Sequence, residues 1–163
     1  MSGAGFTIRV EGLNAIEKRL GEMVTRLGNL TPLMDRIGMA IETTTAERFE
    51  AGFAPDGTPW KRGRKTSGKT LIRDGFLKAS ITHNAGPSSV EIGTNKIYAR
   101  IHQYGGTISA KSGGFLKFKI PGLGFVSVKD VTIPARPFLG VSAEDEDEIE
   151  ALTADYLIEE LAA

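Results

Sequence analysis

The stretch GRKTSGKT, Gly63–Thr70, decides how the chain is read, because it matches the phosphate-cradling pattern G-x-x-x-x-G-K-[ST]. A working phosphate loop requires a buried strand that feeds it and a helix whose N-terminus aims at the phosphates, hence a parallel α/β sheet. The neighbours speak against that. The preceding residues APDGTPWKR hold Pro55 and Pro59, which bar a central strand. The segment after Thr70 is short and carries Gly75. Such an NTPase also needs an acid at the end of a second apolar strand to help hold Mg²⁺. The best placed is Asp130, and the strand before it contains Ser127 and Lys129. No βαβ series surrounds the match. GRKTSGKT therefore reads as the middle of a Gly-, Ser- and Lys-rich loop, residues 53–70, with two Pro, three Gly, five basic residues and a turn at Pro55-Asp56-Gly57.

Outward from that loop the pattern is α+β. On the N-terminal side, FTIRVEG (Phe6–Gly12) alternates as a half-buried strand. Leu13, Ile16, Leu20, Met23, Val24 and Leu27 then recur at helical spacing up to Gly28. A second helix is predicted with Thr31 as N-cap, Pro32 at its first position, a stripe of Met34, Ile37, Ile41, Thr44 and Phe49, and a stop at Gly52. On the C-terminal side, TLIRDGFLKAS predicts a short helix and SITHN with SSVEIGT two strands. KIYARIHQYGG predicts a helix stopped by two glycines. FLKFKI and FVSVK form a hairpin with Leu116, Phe118 and Ile120 on its buried face. In the last helix Ser142 and Asp145 are a capping pair, and Ile149, Leu152, Tyr156, Leu157 and Leu161 the buried stripe. The expected architecture is a mostly antiparallel sheet packed with two long N-terminal helices and a C-terminal helix.

The 163 residues suit a single domain, 1–163. Composition is that of an ordinary globular protein, at 40% hydrophobic and 25% charged. With no cysteine there is no disulfide or thiolate metal site, which suits a reducing cytoplasm. No run approaches the ~18 apolar residues of a membrane span, and the N-terminus does not read as a signal peptide. Net charge is zero but sorted by sign. Lys61 to Lys78 holds seven basic residues against Asp74 alone, whereas Glu144 to Glu160 holds nine acids and no base. A chain with opposite poles can meet its own copies head to tail, in closed rings or open filaments. His83 and His102, the two histidines, fall on different elements. No carboxylate spacing suggests a metal, and no nucleophile elbow suggests a hydrolase. His102 reads as a hydrogen-bonded structural residue, and neither a catalytic set nor a cofactor is expected.

Three motifs stand out instead: PDGTPW (Pro55–Trp60), YARIHQYGG (Tyr98–Gly106) and PARPFLG (Pro134–Gly140). In this order, with Arg48-Phe49 before the first and VEIGTN at Val90–Asn95, they make nearly the whole chain resemble the phage virion morphogenesis family. These are also called tail completion proteins, of Mu-like contractile-tailed bacteriophages. One departure lies in LIRDGFL, where a Thr-Gly pair is expected and Asp74 precedes Gly75. The resemblance implies a structural virion protein without enzymatic activity, acting at the end of tail assembly or at the head–tail junction. It implies a ring around the DNA channel, usually of six subunits, with other tail and neck proteins as partners. The implied location is the virion, after assembly in the host cytoplasm.

The residues themselves suggest where contacts form. Trp60 is either an anchor at the mouth of the basic loop or a cover for the core. Phe138 and Leu139 plug the core, and Arg136, between two prolines, either serves the fold or offers its fork to a neighbour's carboxylate. Lys61, Arg62, Arg64, Lys65 and Lys69 form a basic arm, and Glu144, Asp145 and Asp147 belong to the acidic pole. The arm orders on an acidic neighbour or on the DNA backbone, without sequence preference. The competing class is a free-standing nucleic-acid-binding protein using the same loop. Zero net charge and 7% aromatic content count against it.

Overall fold

The computed structural model describes residues 22, 25, 27–62, 69–120 and 124–162. The strand expected at Phe6–Gly12 and most of the first expected helix lie outside the described residues; Glu22, Thr25 and Leu27 are helical.

Helix α1, Thr31–Ala51, is the spine. Pro32 occupies its first turn, where a missing N–H costs no intrahelical bond. Thr31 is not the cap as expected. Leu30 holds that position without a side-chain bond, and Thr31 is the first helical residue. The reason is Asn29, whose Oδ1 already accepts the Thr31 N–H at 3.1 Å and the Thr31 hydroxyl at 2.6 Å. The buried row is Leu33, Ile37, Ile41 and Thr45, four residues apart, followed by Arg48 and Phe49. Met34 and Thr44, expected in the stripe, are half-buried on its flank. The helix ends at Gly52, which turns left-handed (φ +81°) and gives its N–H to the Arg48 carbonyl.

After the loop the expected short helix is absent. Left-handed backbone at Leu71 (φ +63°) and Gly75 (φ +74°) interrupts any helical run, and one 3₁₀ turn, Lys78–Ser80, is what remains. Strands β1 (Ile81–Ala85) and β2 (Val90–Thr94) pair antiparallel, Ile81 opposite Thr94 and Ala85 opposite Val90. They lie against α1. Gly38 makes the approach possible, since a Cβ there would sit 2.2 Å from the His83 ring.

Helix α2, Ala99–Tyr104, ends at Gly105, and four strands follow: β3 (Gly106–Ser109), β4 (Leu116–Ile120), β5 (Gly124–Val128) and β6 (Asp130–Ile133). The expected β4–β5 hairpin is present, nested inside a β3–β6 pair that sequence reading missed. Among the described residues all pairing is antiparallel, in three separate two-stranded sheets rather than one. The class is α+β, but among the described residues only β1–β2 lies on a helix. Leu116 and Ile120 are half-buried and Phe118 is exposed; among the described residues no helix covers the hairpin face that alternation predicts as buried.

Helix α3, Ala143–Ala162, packs along α1 in the opposite direction, with Arg36 paired to Glu159 at one end and Arg48 to Asp145 at the other. Tyr156 joins Leu33, Ile37 and Ile41 in one cluster, with Ile149 and Leu152 at its edge. Leu157 and Leu161, expected in that stripe, are exposed on the opposite side. A second cluster gathers Phe49, Trp60, Leu77, Ile81, Ala99 and Phe138.

Candidate functional site

The three motifs meet at the C-terminal end of α1, and they meet each other. Phe49 stands edge-on to Trp60, ring centroids 5.6 Å apart, and tilts against Phe138 at 5.2 Å. Trp60 is buried, and its indole N–H donates to the Pro137 carbonyl at 2.8 Å. Of its two readings, the structure gives it the core. PDGTPW makes this position by folding back. The Trp60 N–H reaches the Gly52 carbonyl, and the Asp56 carboxylate accepts the Thr58 N–H.

YARIHQYGG clamps PARPFLG from the other side. Gln103 accepts the Phe138 and Leu139 N–H groups at 2.9 and 3.1 Å and donates to the Leu139 carbonyl at 2.8 Å. The His102 carbonyl takes the Arg136 N–H at 2.7 Å. Gly105 is required here. Its φ is +70°, and a Cβ would lie 2.6 Å from the Ala135 nitrogen. Among the described residues the His102 ring does not make the hydrogen bonds expected of it. Its Nδ1 is buried without a partner among the described residues, and it faces Tyr98 edge-on. Burial first, and the nearby Arg136 charge second, lower its pKa and favour the neutral ring.

Arg136 is 7% exposed, and its Nε donates to the Lys61 carbonyl at 2.8 Å. Burial lowers its pKa. No carboxylate pairs with it among the described residues. Arg48 is the contrasting case: it bonds the Gly140 carbonyl at 2.8 Å and forms an ion pair with Asp145. Asp145, 1% exposed, also completes the capping pair. It accepts the Ser142 N–H at 2.7 Å, and its own N–H reaches the Ser142 hydroxyl. Burial alone would raise its pKa, but the Thr44 hydroxyl, the Ser142 donors and the Arg48 charge hold it below the ordinary carboxylate value. Asp145 is thus an interior residue, whereas Glu144 and Asp147 beside it are exposed.

The basic side is smaller than the local count suggests. Lys61 and Arg62 are exposed, and Arg64 and Lys65 lie outside the described residues. Lys69 pairs with Glu50 at the end of α1, and Lys78 pairs with the same carboxylate. Their hydrogen bonds pull the Glu50 pKa down to about 2. Arg73 lies beside Asp74. Counting charges along the sequence misses Glu50, which folding brings in from the preceding helix.

Two features escaped sequence reading. Gln103 had a signal: a polar residue beside paired glycines in a motif. The second is His83 between two acids, with Nε2 to Asp35 at 3.0 Å and Nδ1 to Glu42 at 2.9 Å. Those bonds raise its pKa. The residues of both acids belong to α1, and nothing in sequence spacing links them to β1. Among the described residues no group of three or more His, Asp or Glu side chains is placed to hold a metal, and no helix is long and apolar enough to cross a membrane. The motifs thus build a structural knot in which Trp60, Gln103 and Arg136 bond to backbone.

Residues 12–158 match the profile of the phage virion morphogenesis family. The chain is 32% identical to "Mu-like prophage FluMu G protein 2" of Haemophilus influenzae, over 91% of this chain and 94% of that protein. It is 30% identical to "Putative capsid assembly protein G" of Escherichia phage Mu, over 68% of each. No solved structure matches.

Proposed function

The chain belongs to the phage virion morphogenesis family, and from that premise we propose that it is a non-enzymatic structural protein that completes the tail and joins it to the head. It does so as a ring of its own copies, six by analogy with similar rings, around the DNA channel. The supporting observation is the use made of the motif residues. Trp60, Gln103, Phe138 and the Arg48–Asp145 pair hold the fold together, so partners meet what remains outside. That remainder carries both signs of charge, with Lys61, Arg62, Glu144 and Asp147 all exposed. Arg136, with which no carboxylate pairs among the described residues, accepts one from a neighbouring copy or from another neck or tail protein. Complementary charge orients such an encounter and excludes wrong partners.

Deleting the chain from its phage tests this. Heads and tails should then accumulate unjoined, and purified protein added to the lysate should restore infectivity. Normal infectivity without it would overturn the proposal. The name of the phage Mu relative favours a second reading, in which the chain serves capsid assembly. Mass spectrometry of separated heads and tails decides between the two. Contact with channel DNA predicts binding that weakens steeply with salt, with a log–log slope of about −5 for six phosphates. A flat titration removes that contact.

A further inference from the structure

The ribbon formed by β3–β6 and β4–β5 is an element without a core. Among the described residues from Gly106 to Ile133, none is buried. Register puts Leu116, Phe118 and Ile120 on the same face as Val128 and Val126, while Lys117 and Lys119 share the other face with Phe125, which is 86% exposed. A two-stranded ribbon alone in water is marginal, and it presents open edges that invite pairing. Its base is held firmly. Gly105 sits against Ala135, and the His102 carbonyl takes the Arg136 N–H. From there β3 and β4, of four and five residues, extend by up to roughly 30 Å at ~3.3 Å per residue.

The complement lies on the outer face of α3. Its first half presents Glu146, Asp147 and Glu150, and its second half Leu157, Ile158 and Leu161, all exposed. The helix has no basic residue. The ribbon offers the opposite: Lys111, Lys117, Lys119 and Lys129 with Asp130 as its single acid, interleaved with exposed aromatics. The other basic segment is already partly neutralised, since Lys69 and Lys78 both pair with Glu50.

Building on the self-assembly reading above, we propose that the ribbon of one copy docks on the outer face of α3 of a second copy. Lys117 and Lys119 meet the acidic half, and Phe125, exposed on the same face of the ribbon, packs against the apolar half. Ribbon and helix are different surfaces, so the contact is head-to-tail and closes into a ring when the rotation between copies allows.

The chain lacks cysteine, so single cysteines report the contact. Full-length Ser127→Cys and Ala154→Cys proteins, both substituted at exposed sites, are mixed under mild oxidation. The expected product is a mixed disulfide dimer, in solution at high concentration or in purified particles. Lys117→Glu with Lys119→Glu on the first copy should lower its yield about tenfold, the effect of a like-charge penalty of ~1.4 kcal/mol. Asp147→Lys with Glu150→Lys on the second copy should restore it. Circular dichroism melts confirm that each variant is folded. Absence of the mixed dimer in both settings, or a yield indifferent to charge reversal, overturns the proposal. The two readings fail separately. Protein found in tails without the cross-link sinks only the docking contact, while a charge-dependent cross-link in a phage that needs no such protein sinks only the virion role.

Discussion

Arg48, near the end of α1, and Asp145, in the first turn of α3, lie 97 residues apart and form an ion pair with side chains 9% and 0% exposed. The pair fastens α1 to the start of α3 beside PARPFLG. Its geometry explains how a residue of the acidic run ends up inside while its neighbours stay outside.

Removing one partner strands a buried charge. Arg48→Met is expected to cost about 3–5 kcal/mol of folding stability. Adding Asp145→Asn to it should recover part of that loss, because a carboxamide needs no counter-charge and still accepts the Ser142 N–H. Urea unfolding of both variants checks the order; a double variant less stable than Arg48→Met alone would refute the role given to the charge.

Gln103 joins two motifs through three bonds. Gln103→Leu keeps the apolar volume but leaves the Phe138 and Leu139 N–H groups without their acceptor. The expected destabilisation is roughly 2–4 kcal/mol, read as a lower melting temperature. A change within ~0.5 kcal/mol, typical of an exposed site, would mean the clamp carries little of the knot's stability.

His83 makes stability pH-dependent. Hydrogen bonds to Asp35 and then Glu42 raise its pKa above the 6.5 of the free side chain. The folded state therefore binds the proton more tightly. This contribution is fully present below pH ~6.5 and is lost as pH rises through the higher folded value. His102 has the opposite sign. Its lowered pKa adds stability as pH rises toward 6.5, so the two effects occupy different windows. Melting temperature should fall above pH ~6.5 in the unaltered chain. His83→Gln should remove that fall and leave the lower limb; an unchanged upper limb would exclude His83 as its source.

Lys69 occupies the position of the phosphate-loop lysine, yet its ammonium pairs with Glu50. Lys69→Ala should change stability by less than about 1 kcal/mol, as for exposed ion pairs. Phosphate release from ATP with Mg²⁺ should stay at background in both proteins. Release that depends on Lys69 would restore the nucleotide-site reading of 63–70.

Much was legible in the sequence because it is local. Pro32 and Gly52 bracket α1, Ser142 and Asp145 cap α3, Gly105 and Gly106 stop α2, and the FLKFKI and FVSVK alternation pairs as β4–β5. Each depends on dihedral preferences or hydrogen bonds within a few residues, and the motif order pointed to the family. The errors share one cause. TLIRDGFLKAS has helical spacing, but two left-handed residues break it. Leu157, Leu161 and Phe118 have the periodicity of buried faces, yet periodicity states only that a face exists and not that something covers it. The burial of Asp145, the capture of Lys69 and Lys78 by Glu50, and the grip of Gln103 on Phe138 and Leu139 join residues far apart in the chain. Sequence by itself determined α1 with its stop at Gly52, the capping pair of α3, the strands of β1–β2 and β4–β5 and the sorting of charge along the chain, because these follow from neighbours along the backbone. Tertiary structure alone decided which charges are spent inside, which apolar faces stay bare and therefore which surfaces remain for partners, because desolvation and pairing depend on distance in space.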